Sequence, residues 1–495
     1  MKRLYILLPI IVIYFSSCKK FLAEKPYGVL SPSDYYTSSN QIRAAVDGLY
    51  TGLSGYYASE LAVATAPVFD LEYITGYTAR PRSATPDQVQ YLQLPVTYNN
   101  GDAETFWTST YYPVENCNSV IANLSTSTVV DSATRHKELG EAYFLRAYYY
   151  FNAVRLFGSI PLKITPTTGI DNVQIGKSTP DAIYAQIVSD LTFAEGSGLP
   201  WTDVSGHVNM GAVKSLLTKV YLTMAGYPLQ KGSSYYQLAY NKSLEVINNG
   251  SYSLFAKYSD LRSSALQNTG EQIFMIQRSY TYTPDNNIMH FDLLPYPTEP
   301  ISILPDNGGA MAPDPAFYNS YSNSDVRKQN QQFYYTSHTQ YGATNVITLP
   351  MPYIYKYWDD LAEQTGKNGL NNPVIRYADV LLMCAEAKSM VDGGTTSDAA
   401  AVSAYFKVHN RAFPTATQPA SITTDQVQME RYWELAYEFQ TWFDMTRTRR
   451  AFDVANNKMV DLIGYKAPQH SKAFAESDLV IPIPLTEIQK DPNLK

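Results

Sequence analysis

LGEAYFLRAYYYFNAVRLFGSIPL, residues 139–162, sets Leu139, Tyr143, Ala147, Tyr150, Val154 and Phe157 at spacings of three and four. That period gathers apolar side chains on one stripe of an α-helix. Gly158 and then Pro161 end it, because glycine accepts the left-handed turn that closes a helix and proline cannot continue one. Working outward, Asn40 to Leu53 and Ala103 to Leu124 read as helices upstream, and Ala182 to Ala194 follows downstream. Ala212 to Ala225 and Tyr236 to Ile247 read as an antiparallel pair broken at Gly226 and Pro228. Near the C-terminus Tyr377, Val380, Cys384 and Ala387 share one face, as do Tyr432, Leu435, Phe439 and Trp442 of a later helix. Small residues at close-packing points, Ala147, Ala225, Ala385 and Ala387, suit paired helices of the tetratricopeptide kind. The predicted fold class is all-α: a tetratricopeptide-like helical-hairpin scaffold, with repeats at about 40–250 and 374–450. The spacing between pairs also leaves an irregular helical bundle open.

Two stretches, about 69–100 and 251–373, have another character. The first carries Tyr73, Tyr77, Tyr91 and Tyr98 among Pro, Thr, Gln and Asn with no sustained period. In the second, prolines such as Pro284, Pro295, Pro300 and Pro350 preclude long helices and shorten strands. Their aromatic density argues against disorder. Long ordered loops are usually functional. They are expected to form an irregular, loop-rich ligand-binding lobe on the helical scaffold, within a single domain spanning 18–495.

The composition narrows the function. Among 495 residues the 42 Tyr outnumber 19 Phe and 5 Trp, so most aromatic rings carry a hydroxyl suited to polar, ring-shaped ligands. A formal net charge of −7 offers no basic surface for a phosphate backbone, which argues against a nucleic-acid partner. Lys2 and Arg3 precede an apolar run from Leu4 to Phe15 that is too short to span a bilayer and reads as an export signal over residues 1–17. It ends in Ser16-Ser17-Cys18, which resembles a bacterial lipobox, so Cys18 is the expected lipidation site. Cys117 and Cys384 sit in apolar helical patterns with no CxxC pair and are expected to be buried free thiols.

Catalytic motifs are missing from the sequence. His136, His207, His290, His338, His409 and His470 are scattered, with no HExxH spacing, GxSxG elbow or glycine-rich phosphate loop. No metal ligand set and no cofactor are expected. Glu430, Glu434 and Glu438 at i, i+4 and i+8 suggest paired carboxylates, yet on one helix face they point the same way and cannot flank a sugar. They are expected to pair with Arg431, Arg447 or helix ends.

Several blocks together resemble the SusD/RagB outer-membrane lipoproteins of Bacteroidetes: CKKFLAEKP (18–26) followed by SPSDYYTSSNQIRAAVDGLY (31–50), GEAYFLRAYYYFNAVRLFGSIPL (140–162), VIRYADVLLMCAEA (374–387), MERYWELAYEFQTWFDMTRTRR (429–450) and IPIPLTEIQKDPNL (481–494). Thr441 stands where that family's last long helix usually has Arg. The resemblance implies a protein without enzymatic activity, anchored by lipid to the outer membrane and facing the cell surface. It would capture oligosaccharides and hand them to a SusC-like TonB-dependent barrel. Peptide capture of the RagB type is the alternative, and a glycoside hydrolase a lesser one. The helical repeats alone would also fit a pure protein-interaction scaffold.

A sugar ring offers an apolar face and a rim of hydroxyls, so its site needs exposed aromatics beside amide, carboxylate and guanidinium groups. The two irregular stretches, where the resemblance implies ligand contacts, supply Asp70, Tyr73, Tyr77, Arg80, Tyr98 and Asn99, then Tyr282 and Tyr296. Tyr98 and Tyr296 are expected to stack on rings, with Asp70, Arg80 and Asn99 bonding hydroxyls. Trp107, Trp358 and Trp442 are assigned to packing.

Overall fold

Most of the long helices begin where a short polar side chain can take up free backbone N–H groups. In the computed structural model, which describes residues 36–57, 66–169, 173–281, 287, 289–304 and 308–495, Asn100 caps α2 (Gly101–Ser125), Asp131 caps α3 (Ser132–Phe157) and Thr179 caps α4 (Pro180–Glu195). Asn209 does the same for α5 (Met210–Ala225), and Gly250 in the left-handed region closes α6 (Ser233–Asn249). Ahead of these lies α1 (Ser39–Leu49). The stop at Gly158 is as expected, at φ +70. The export signal and Cys18 lie outside the described residues.

Each of α2 to α6 packs on its predecessor in the chain. The ladder then continues from α6 onto α7 (Tyr377–Val391), although residues 250–376 intervene, and on to α8 (Ala399–Ala412) and α9 (Thr424–Glu434). The scaffold is thus the expected helical-hairpin array, with the lobe inserted between its hairpins. Tyr148, Tyr149 and Tyr150 are all buried, the last two donating to the carbonyl oxygens of Leu49 and Lys163. Arg146, in the same apolar stretch, forms a two-pronged bond to Asp190 of α4 at 2.7 and 2.8 Å. Cys117 and Cys384 are free and buried, and Trp107, Trp358 and Trp442 are core residues.

Two expectations need correction. Tyr432, Leu435, Phe439 and Trp442 do not share one helix: α9 ends at Glu434, Tyr437 and Phe439 take positive φ, and a separate helix, α10 (Thr441–Thr448), follows. The broken turn is held from the lobe side. Lys356 Nζ donates to the carbonyls of Glu434 and Ala436, Tyr357 Oη donates to that of Tyr437, and Glu72 accepts from the Phe439 N–H. The glutamate row is consequently not one helical face, and its partners are not Arg431 or Arg447. Glu430 binds Arg327, Glu434 binds Arg327, Arg376 and Arg411, and Glu438 binds Arg376 and Lys356.

The lobe is less irregular than its sequence suggests. β2 (Gln272–Ile276) pairs with β6 (Asn372–Arg376), and β4 (Tyr334–Thr339) forms a hairpin with β5 (Val346–Ile354). β1 (Thr78–Ala79) pairs antiparallel with β3 (Ala312–Pro313), joining the two sequence stretches. A small separate core of Leu294, Tyr335, Tyr353, Tyr355 and Trp358 fills the lobe.

Candidate functional site

The β1–β3 pair continues into a turn that sets a half-exposed aromatic ring. Beyond it, the Arg82 N–H donates to the Gly309 carbonyl at 2.9 Å, and the Gly309 N–H donates to that of Leu294 at 2.7 Å. Gly309 has φ +72, and a Cβ there would lie 2.6 Å from the Cβ of Tyr296 and 3.0 Å from that of Arg82. Only glycine allows these strands to approach so closely.

Tyr296 lies against that glycine and keeps 36% of its surface exposed. Tyr353, buried in the lobe core, clamps its backbone by accepting from the Tyr296 N–H at 3.2 Å and donating to the Tyr296 carbonyl at 2.8 Å. The Arg82 guanidinium sits 5.0 Å from the Tyr296 ring centroid, within range of a cation–π contact. The result is a fixed aromatic ring with a cationic hydrogen-bond donor beside it. Such a pair can hold the apolar face of a ring-shaped ligand while bonding its polar rim.

Arg80 lies under this platform. Its Nη1 donates to the Tyr73 hydroxyl at 2.7 Å and its Nη2 to the Ser83 carbonyl at 3.1 Å, while Tyr73 Oη donates to the Ala310 carbonyl at 2.6 Å. This chain ties the first stretch to the second. Asp70, Tyr73 and Tyr77 are fully or almost fully buried, which corrects the expectation that they contact ligand; Tyr73 instead braces Arg80 and the backbone beside Gly309. Tyr77 donates to and accepts from the backbone of Phe452, beneath Tyr432. Burial raises the Asp70 carboxyl well above its ordinary range, and the neighbouring Asp102 adds to the rise. Asp102 is itself pushed up to about 6, chiefly by burial.

Tyr98 and Asn99 are exposed, as a contact residue should be, but at another edge. They precede α2, and the Tyr98 carbonyl accepts from the Leu485 N–H. Among the described residues no hydrogen bond or ring contact links them to Tyr296. Tyr282 lies outside the described residues. Sequence reasoning missed Arg82, Tyr353 and Gly309. Arg82 stands two residues from Arg80, and the Gly308-Gly309 pair is a turn signal, but nothing in the sequence shows that the two turns meet. Among the described residues no group of three or more His, Cys, Asp or Glu could hold a metal ion, and no helix is long and apolar enough to cross a membrane.

A family model described as the SusD family matches residues 274–495, and one described as "Starch-binding associating with outer membrane" matches residues 20–222. SusD-like protein P2 of Formosa agariphila is 25% identical over 100% of this chain and 99% of its own length. The solved structure of a SusD superfamily protein from Parabacteroides distasonis is 33% identical with a TM-score of 0.87, covering 94% of this chain and 99% of that one. Surface glycan-binding protein A from Bacteroides uniformis, at 20% identity, shares the fold with a TM-score of 0.75 over 92% of this chain and 99% of its own.

Proposed function

This chain belongs to the SusD family, and we propose that it captures oligosaccharides at the outer-membrane surface and passes them unaltered to a TonB-dependent barrel of the SusC type. The observation that carries this reading is the Tyr296 ring, held half-exposed beside Arg82 by the Tyr353 clamp and the Gly309 contact. A pre-set ring loses little freedom when it stacks on a sugar. The glycan-binding name of the Bacteroides uniformis neighbour supports the same ligand class. Tyr98 and Asn99 would supply a second exposed edge for a longer chain. Acylation of Cys18 would anchor the protein, since each buried methylene contributes about 0.8 kcal/mol and two chains hold stably.

The mature protein, titrated with the oligosaccharide that binds it best in a glycan array, is expected to bind saturably and release no new reducing ends. Tyr296→Ala should cost about 1–3 kcal/mol, roughly a fivefold to 150-fold rise in Kd. Reducing ends would identify a hydrolase. Oligopeptide binding that is indifferent to Tyr296→Ala would establish peptide capture instead. Metabolic labelling with palmitate should mark the wild type and leave Cys18→Ala unlabelled.

A further inference from the structure

The scaffold carries a cleft of its own, with a volume of about 710 Å³, within the range of ~300–1,000 Å³ usual for small-ligand sites. It shares no residue with the Tyr296 platform. One wall is the turn between α5 and α6, from Gly226 to Gly232. The others are the end of α7 at Met390 to Gly394, the start of α9 at Thr423 to Gln428, and residues 447–450 at the end of α10. The walls are fixed to one another: the Tyr227 N–H donates to the Arg447 carbonyl at 2.8 Å, and the Thr424 N–H donates to that of Gly394 at 2.9 Å. Gly226 permits the first contact, since any Cβ there would overlap the Arg447 carbonyl oxygen.

Three polar atoms in or behind the wall of this cleft lack partners. Gln428 is 7% exposed, and its Oε1 is buried with no hydrogen bond. A buried acceptor without a donor is costly and rare in native proteins. The hydroxyls of Tyr236 and Tyr227 line the same space, and neither hydrogen-bonds to another described residue. The charges, in contrast, are matched. Arg447 is held by Glu386 at 2.7 Å and by Asp444 at 2.7 Å, and Arg450 by Asp425 at 3.2 Å. An anion or cation entering here would meet no uncompensated charge of opposite sign. Tyr227, 37% exposed with Arg449 against its ring, and Met390 add apolar surface.

The cleft therefore suits a neutral molecule that hydrogen-bonds the tyrosine hydroxyls and presents an apolar face to Tyr227. We infer that this cleft is a second binding site, for a neutral di- or trisaccharide unit, built into the helical scaffold and separate from the Tyr296 platform. Two weak sites on one rigid body would raise the avidity for a glycan long enough to reach both.

Amide hydrogen exchange of the full mature protein with maltotriose, cellotriose, xylotriose and mannotriose tests it. At least one is expected to slow exchange in residues 225–232 and 423–428, and that protection should persist in Tyr296→Ala. Tyr227→Ala and the milder Tyr236→Phe, which removes only a hydroxyl, should each raise the half-saturating concentration for that protection at least fivefold. Protection confined to the surroundings of Tyr296, or absent with every trisaccharide, overturns the cleft assignment, as does protection of the cleft by a peptide mixture alone. Protection at the cleft with none around Tyr296 upholds it and overturns the platform reading instead.

Discussion

Glu434→Gln is expected to destabilise the protein by about 3–5 kcal/mol, the usual cost of breaking a buried ion pair from one side. Glu434 is fully buried and accepts from Arg411 at 2.7 Å and from Arg327 and Arg376 at 3.3 Å. The surrounding cluster is close to charge balance: Arg327, Arg376, Arg411 and Lys356 face Asp325, Glu271, Glu430, Glu434 and Glu438. Replacing the carboxylate shared by three guanidiniums with a neutral amide takes a charged acceptor from Arg327, Arg376 and Arg411 at once, and leaves Arg411 with Glu271 alone. Arg327 and Lys356 come from the lobe, whereas Glu430, Glu434 and Arg411 come from the scaffold, so the loss should loosen the docking of one on the other. Urea midpoints give the size of the effect, and faster proteolysis between residues 250 and 376 would locate it. A change below about 1 kcal/mol would show that the cluster contributes little.

The same carboxylate sets an acid limit. Burial alone would raise its pKa, but Arg411, Arg376 and Arg327 outweigh that and hold it at about 2. A carboxyl depressed in the folded state contributes its full stability above the unfolded value of 4.5. That contribution is lost as pH falls from there through about 2, and amounts to roughly 3 kcal/mol. The Gln variant should lack this part of the acid sensitivity.

Glu72→Gln is expected to act in the opposite direction. Glu72 is buried, and burial pushes its carboxyl up to about 8, although the Phe439 N–H and Lys356 pull the other way. The folded protein thus holds a proton at pH 7 that the unfolded chain has released. Stability from this group is fully present below 4.5 and declines as pH rises towards 8. A neutral amide keeps the carbonyl that accepts from Phe439 and needs no proton. The variant should therefore gain on the order of 3 kcal/mol at pH 7, from about 2.5 pH units at 1.36 kcal/mol each. It should match the wild type near pH 4. Equal stabilities at pH 7 would mean that Glu72 is ionised in the fold.

Glu72 and Glu434 also mark where sequence reading stopped. The glutamate row 430, 434, 438 is visible as a pattern, but the helix geometry from which its structural role is argued does not hold, because the helix ends at Glu434. Its partners could not be read from the pattern, because Arg327, Arg376 and Lys356 reach it across the lobe. The turn at 435–440 was missed for the same reason. Local spacing there is helical, and the hydrogen bonds that break it come from Glu72, Lys356 and Tyr357. Tyr73 and Tyr77 have the composition of ligand contacts, yet the fold buries them.

By itself the sequence determined the helical-hairpin fold class, the stop at Gly158 and the family resemblance. All of these depend on periodicity and short-range signals written within a few residues. Only the tertiary structure decided which tyrosines face solvent, that Arg82 and Gly309 meet Tyr296, and that Tyr227 opens on a cleft. Each of those is a pairing of residues far apart in the chain, fixed by how packed elements share limited space, and no local pattern encodes it.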